Sequence, residues 1–233
     1  MINRNLSLTV STVGEEKNKL LIFDNLLISP DSMVDCAKKL NFTPYPSAVE
    51  RKGYPGVRVQ SPAAFGDSIR EIIVPIVRSE FDIPENRKVK TLQEAFCLMA
   101  TPEEELGPLQ TIPHFDTTDQ NFFAVLLYLC GPEHGGTGLY RHNSTGFESV
   151  LPERADQYLD ACYEELNSKR RSKRYIDESD DLFTKFDFVP IAYNRLVVYR
   201  GSLLHSANIL SDISLQASAS KGRLTANVFI AFE

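Results

Sequence analysis

Four histidines occur in the chain, and two of them stand where metal chemistry would want them. His114-Phe115-Asp116 is an H-x-D unit. In an extended segment the side-chain period of two puts its imidazole and carboxylate on one face. His205 lies far downstream, directly after Leu203-Leu204. Two imidazoles and one carboxylate on one face of a cation leave open coordination positions and suit non-haem Fe(II). An oxygen-activating centre needs such positions, because O2 and a co-substrate must both reach the metal. H-x-D is common by chance, so structural polar residues are the competing reading. His142 is an alternative second imidazole, although no R-x-T segment follows it at the spacing seen after His205. His134 sits in a Gly/Pro-rich turn and reads as an exposed loop residue.

The segment from Arg223 to Phe232 strengthens the metal reading. Its alternation places Arg223, Thr225 and Asn227 on one face and Leu224, Ala226, Val228, Ile230 and Phe232 on the other. Polar groups facing a barrel interior, with an apolar face under helices, describe a binding cavity. A guanidinium pairs bidentately with a carboxylate, and the Thr hydroxyl two residues on adds a donor. Tyr128, Asn121 and Thr137 are candidates to line the same pocket, with core packing or a turn as the alternative. Arg58 and Arg141 are candidates to hold a substrate carboxylate, with ordinary ion pairing as the alternative. Asp119, in the polar turn after the H-x-D unit, reads as a cap.

The elements that must position these groups follow from periodicity and turn residues. Leu20–Phe23 reads as a strand, and Ser29-Pro30-Asp31 as the start of a helix running to about Leu40. Residues 43–66 are rich in Pro and Gly and read as an irregular surface stretch. A second helix is expected from Ala64 to about Glu80, bent at Pro75. From about residue 89 short β-like runs dominate: Lys90–Met99, Gln110–Asp116, Phe122–Leu129, Gly138–His142, Phe186–Ile191, Arg195–Tyr199 and Arg223–Phe232. A helix from Pro152 to about Tyr175 interrupts them, with Tyr158, Leu159, Cys162, Tyr163 and Leu166 on one side. The expected fold is mainly β with flanking helices. One domain over 1–233 is expected: N-terminal helical support at about 20–85, and a β-core at about 89–232 carrying an insertion at about 143–185.

Composition narrows the function classes. The chain has 233 residues, 42% hydrophobic and 24% charged, with a net charge of −6, which argues against wholesale disorder and against a broad basic nucleic-acid face. The basic run from Lys169 to Arg174 is followed at once by the acidic 177–181 cluster, so it reads as a solvated helix end. Four scattered cysteines lack CxxC spacing and read as reduced thiols, two of them (Cys97 and Cys130) in apolar runs. The N-terminal residues lack the apolar region of a secretory signal. The longest apolar run is far short of the roughly 20 residues of a membrane span. A cytoplasmic protein without nucleic-acid or membrane partners is the expectation, acting on a small-molecule or peptide substrate.

In their order H-x-D, His, R-x-T, the residues His114-Phe-Asp116, His205 and Arg223-Leu-Thr225 resemble the Fe(II)/2-oxoglutarate-dependent dioxygenases. The run Tyr128 to Thr137 is similar to the Y-L…G-G-T stretch of prolyl-hydroxylase-like members. Tyr54-Pro-Gly-Val-Arg58, Pro113-His-Phe-Asp116, Gly135-Gly-Thr-Gly-Leu-Tyr-Arg-His142 and Asn194-Arg195 together resemble a related domain family of uncharacterised function, over roughly residues 20–232. The resemblance implies a double-stranded β-helix (jelly roll, cupin-like) with helices on its larger sheet. It implies Fe(II) on His114, Asp116 and His205, and Arg223 with Thr225 on the distal carboxylate of 2-oxoglutarate. The implied reaction uses O2, converts 2-oxoglutarate to succinate and CO2, and hydroxylates a C–H bond. Asp at 116 speaks against halogenation, in which chloride takes the carboxylate position. A cupin-like isomerase or lyase that does not use 2-oxoglutarate, and a non-catalytic jelly-roll binding module, are the alternatives.

Overall fold

The computed structural model describes residues 2–44, 53–168, 171–210 and 212–233. In chain order the strands and helices are β1 (Ser7–Val13), β2 (Asn18–Asp24), α1 (Pro30–Ala37), β3 (Thr43–Pro44), β4 (Gly56–Gln60), α2 (Ala63–Phe81), β5 (Val89–Met99), β6 (Phe122–Tyr128) and β7 (Gly136–His142). They continue with α3 (Ala155–Ser168), β8 (Phe183–Pro190), β9 (Leu196–Arg200), β10 (His205–Asn208) and β11 (Leu224–Phe232). Eight strands form one sheet in the order β1-β2-β9-β6-β11-β5-β4-β3, and β10-β7-β8 form the second. The pairings are antiparallel. This is a jelly-roll architecture, mainly β with few helices.

Strand β11 shows how the sequence pattern becomes packing. Its Leu224, Ala226, Val228, Ile230 and Phe232 share a core with Phe65, Ile69, Ile73, Val77 and Phe81 of α2. The four-residue spacing on the helix and the two-residue spacing on the strand each keep one apolar face turned to the other. Each large side chain buried in this layer contributes roughly 1.5–3 kcal/mol. The opposite face of β11 looks between the sheets. There a second core joins Ala124 and Tyr128 of β6, Val197 and Tyr199 of β9, Leu139 of β7 and Val189 of β8.

Several sequence expectations need correction. Residues 43–66 are not uniformly irregular: Gly56–Gln60 pairs with β5 as a strand, Thr43–Pro44 pairs with β4, and Ala63 already begins α2. The rest of that stretch, 45–52, lies outside the described residues. Gln110–Asp116 is not a strand. Pro108 and Pro113 remove ladder donors, and pairing survives as an isolated bridge between His114 and His205. Ser29 stands at the N-cap of α1 without a side-chain capping bond, and that helix ends at Ala37. Pro75 sits inside α2, which continues through it to Phe81. The third helix ends at Ser168, and residues 171–175 are not helical. It buries Tyr158 and Cys162, whereas Leu159 and Tyr163 are exposed, because one narrow stripe meets the small core around Tyr140 and Phe183. Arg171 pairs with Asp180 at 2.6 Å and Lys173 donates to the Glu104 carbonyl, so these two basic residues are held by the fold; Lys169 and Arg170 lie outside the described residues. Among the described residues, no helix is long and apolar enough to cross a membrane.

Candidate metal centre and ligand cavity

A cavity of about 410 Å³ opens between the two sheets. At one side stand His114, Asp116 and His205, whose ligand atoms all lie within 4.8 Å of one another. Two backbone ladders bring them together. His114 and His205 exchange N–H···O=C bonds at 2.9 Å in both directions, which sets their rings 4.3 Å apart between centroids with their planes tilted by 50°. The Asp116 N–H donates to the Gly201 carbonyl at 2.7 Å. A Cβ on residue 201 would lie 2.4 Å from the Phe122 ring and 3.2 Å from the Asp116 Cβ, so only glycine permits this approach. Asp116 Oδ1 is 3.9 Å from His114 Nε2, and Asp116 Oδ2 is 4.0 Å from His205 Nε2.

These distances are too long for hydrogen bonds and of the size that a shared cation spans. His205 Nδ1 meets the Leu203 carbonyl at 2.8 Å. A carbonyl can only accept, so Nδ1 carries the proton and the Nε2 lone pair faces the cavity. Burial pushes the His205 imidazole down to about 4, keeping it neutral and ready to ligate near pH 7. His114 shifts the same way, through burial and then through His205, although its side chain is 56% exposed and keeps more water. Burial raises the Asp116 carboxyl pKa, with His114 offsetting part of the effect, and its buried Oδ2 has no hydrogen-bond partner among the described residues. A buried carboxylate with an oxygen that no described residue donates to, and two imidazole Nε2 atoms within 4.0 Å of that carboxylate, is a donor set that fits a divalent cation.

Arg223 and Thr225 also line the cavity, Arg223 only 3% exposed and Thr225 1%. Arg223 Nη2 donates to the Gly136 carbonyl at 2.9 Å, and its guanidinium lies 5.8 Å from the centre of the Tyr128 ring. Among the described residues, its buried Nε–H has no acceptor. Burial raises the Tyr128 hydroxyl pKa, and Tyr128 is absent from the cavity wall: its hydroxyl bonds Thr137 at 2.6 Å and its ring supports Arg223 from behind. The expectation that Tyr128 lines the pocket is therefore corrected to a supporting position.

The remaining candidates divide. Arg58 lines the cavity and donates to Gln93 Oε1 at 2.7 Å. Arg141 does not reach the cavity. It pairs with Glu148 at 2.7 Å and Glu15 at 2.8 Å, where the β1–β2 turn meets the chain beyond β7, so ordinary ion pairing describes its position. Asn121 is also outside the cavity. Its N–H is capped by Asp119 Oδ1 at 2.9 Å and its carbonyl accepts from Phe232, as a turn residue would. His134 is buried rather than exposed, its Nδ1 3.1 Å from Ser214 Oγ. His142 is buried against Glu165 and Thr145, away from the triad. Sequence reasoning assigned no site role to several cavity residues, among them Tyr54 and Tyr199, whose buried hydroxyl oxygens have no partner among the described residues. No sequence signal separates them from core tyrosines. Tyr199 packs its ring 4.8 Å from His205, and burial raises its hydroxyl pKa well above the ordinary value, with Asp116 adding to the effect and Arg223 opposing it.

Comparison with solved structures places the fold. The chain is similar to the non-heme alpha ketoglutarate dependent epimerase SnoN from nogalamycin biosynthesis, with a TM-score of 0.50 and 12% identity over 92% of this chain and 78% of that one. It is also similar to HygX from Streptomyces hygroscopicus, with a TM-score of 0.49 and 12% identity over 94% of this chain and 82% of that one. No curated protein matches the sequence. A family model described as a family of unknown function, DUF6445, matches residues 4–230, and the chain belongs to that family.

Proposed function

We propose that this protein is a non-haem Fe(II)- and 2-oxoglutarate-dependent dioxygenase that hydroxylates a C–H bond of an amino acid, peptide or small natural product. The observation that carries the reading is the pairing of a 2-His-1-carboxylate cluster with a buried arginine that, among the described residues, has no carboxylate partner, in one cavity. His114, Asp116 and His205 would hold the iron. Arg223, with Thr225, would hold the distal carboxylate of 2-oxoglutarate. Iron, 2-oxoglutarate and O2 together supply the oxidising power, and succinate and CO2 are the co-products. The chain's own part is positional. Leu203 fixes the His205 tautomer, and Gly201 fixes the backbone of Asp116. Tyr128 and Gly136 hold the guanidinium, and Phe115 and Phe229 contribute apolar walls for the substrate. Such a fixed constellation needs little reorganisation when the ligands arrive.

The dependence of SnoN on alpha-ketoglutarate is in keeping with this reading. A cupin-like enzyme that does not use 2-oxoglutarate would have no need of a buried arginine in the cavity that holds the metal cluster. The test is anaerobic addition of Fe(II) and 2-oxoglutarate, read by the visible metal-to-ligand charge-transfer band. The band should form in the wild-type protein and vanish in His205→Ala. Its absence from the wild-type protein rejects the function, and its persistence in the variant rejects the ligand assignment.

A further inference from the structure

The edges of the two sheets are not protected alike. An exposed edge offers unpaired N–H and C=O groups to any other strand, and proteins blunt it with charges, proline, bulges or brevity. At one end of the large sheet, β3 has two residues, one of them Pro44. In the small sheet, β8 carries Lys185, Asp187 and Pro190, and its register against β7 shifts between Leu139 and Tyr140. The other edge of that sheet, β10, is four residues long, and the bridge from His205 to His114 covers its start.

Strand β1, at the far end of the large sheet, has none of these devices. Ser7–Val13 contains no charged residue, no proline and no glycine, and all seven residues keep one unbroken register with β2. Among the described residues, no further strand pairs with its outer side. Leu8 and Val10 are 39% and 42% exposed. They stand opposite Phe23 and Leu21 of β2, which are fully buried in the core shared with α2. The apolar layer between α2 and the large sheet therefore runs out to this edge uncovered.

Charge decides what fits there. Arg4, exposed and outside every ion pair among the described residues, precedes the strand, and Glu15 and Glu16 follow it. A second copy laid antiparallel about a two-fold axis through Val10 sets Val10 against Val10 and Leu8 against Thr12. The same register brings Arg4 of each copy to the Glu15–Glu16 end of the other. A parallel copy would set Arg4 against Arg4 and glutamate against glutamate. For a chain of net charge −6, an uncharged strand with oppositely charged flanks is a place where two copies meet without repulsion.

We infer that β1 is a homodimerisation edge: the β1 strands of two copies pair antiparallel across a two-fold axis through Val10 and join the two large sheets into one. No residue of β1 lines the cavity between the sheets, so this inference stands apart from the proposed function.

The test is the oligomeric state of the whole chain, read by sedimentation equilibrium across the micromolar range. The wild-type protein should dimerise. Val10→Lys, which opposes two ammonium groups at the axis, should weaken the dimer about a hundredfold or more. Val10 is exposed, so the variant's circular dichroism spectrum should match that of the wild type. Directly opposed residues of an antiparallel pair bring their Cα atoms to about 4.5–5.5 Å, within disulfide reach. Val10→Cys should therefore form a disulfide-linked dimer under mild oxidation, whereas Leu8→Cys, which faces Thr12, and the wild-type chain should not. A wild-type protein that stays monomeric overturns the inference and leaves the edge to a different partner. A dimer undiminished by Val10→Lys overturns it too, by placing the interface elsewhere. Equal cross-linking from positions 8 and 10 refutes the two-fold register.

Discussion

Replacing Arg223 with methionine separates a ligand-binding arginine from a structural one. In the wild-type chain this guanidinium is 3% exposed, bonds one neutral carbonyl, lies over one aromatic ring and, among the described residues, pairs with no carboxylate. A buried charge so sparsely compensated is a burden on the ligand-free fold, and an apolar side chain of similar length relieves it. The variant leaves the Gly136 carbonyl without its donor, an opposing cost of about 1–3 kcal/mol. Ligand-free stability should therefore change by no more than about 1–2 kcal/mol in either direction. Removing one partner of a buried charged pair costs about 2–5 kcal/mol of binding, a roughly 30- to 4000-fold loss of 2-oxoglutarate affinity. Thermal unfolding under anaerobic Fe(II) reads both quantities. A ligand at a hundred times its Kd adds about 2.7 kcal/mol, or roughly 5–11 °C for a chain of this size, and the variant should lose that increment. If Arg223→Met lowers ligand-free stability by several kcal/mol, or keeps the full 2-oxoglutarate shift, the reasoning is wrong.

Glu148 is fully buried and accepts from the N–H groups of Glu15 and Glu16, from Asn18 Nδ2 and from Arg141. Glu148→Ala strands those donors and should cost roughly 3–5 kcal/mol in urea unfolding. Ile73→Ala, in the layer between α2 and the large sheet, should cost roughly 2–5 kcal/mol and leave 2-oxoglutarate affinity unchanged, as checked by calorimetry.

What was legible in the sequence is what short-range pattern controls. The alternation from Leu224 to Phe232 correctly turned its polar face to a cavity and its apolar face to a helix, because a strand has only two faces. The spacing of Ile69, Ile73 and Val77 marked α2 for the same kind of reason. Strands β1, β3, β4 and β10 escape this reading. The first is mostly exposed, and the others are brief and flanked by turn residues, so their pairing partners far along the chain stabilise them. Arg58 and Arg141 look alike in sequence. One enters the cavity and the other meets Glu148 and Glu15, a difference set by partners distant in the chain.

Sequence alone determined the chemical inventory: an H-x-D unit, a later histidine and an R-x-T strand, in an order that resembles one enzyme superfamily. Only the tertiary structure decided that His205, rather than His142, stands beside Asp116, because the His114–His205 bridge joins segments that no local pattern connects. It also decided which tyrosines have spare donors. Tyr54, Tyr128, Tyr175 and Tyr199 are equivalent as letters, and they differ only in whether a long-range fold contact has already used the hydroxyl. A hydrogen bond between residues far apart in the chain is a product of folding, and so is the lack of one.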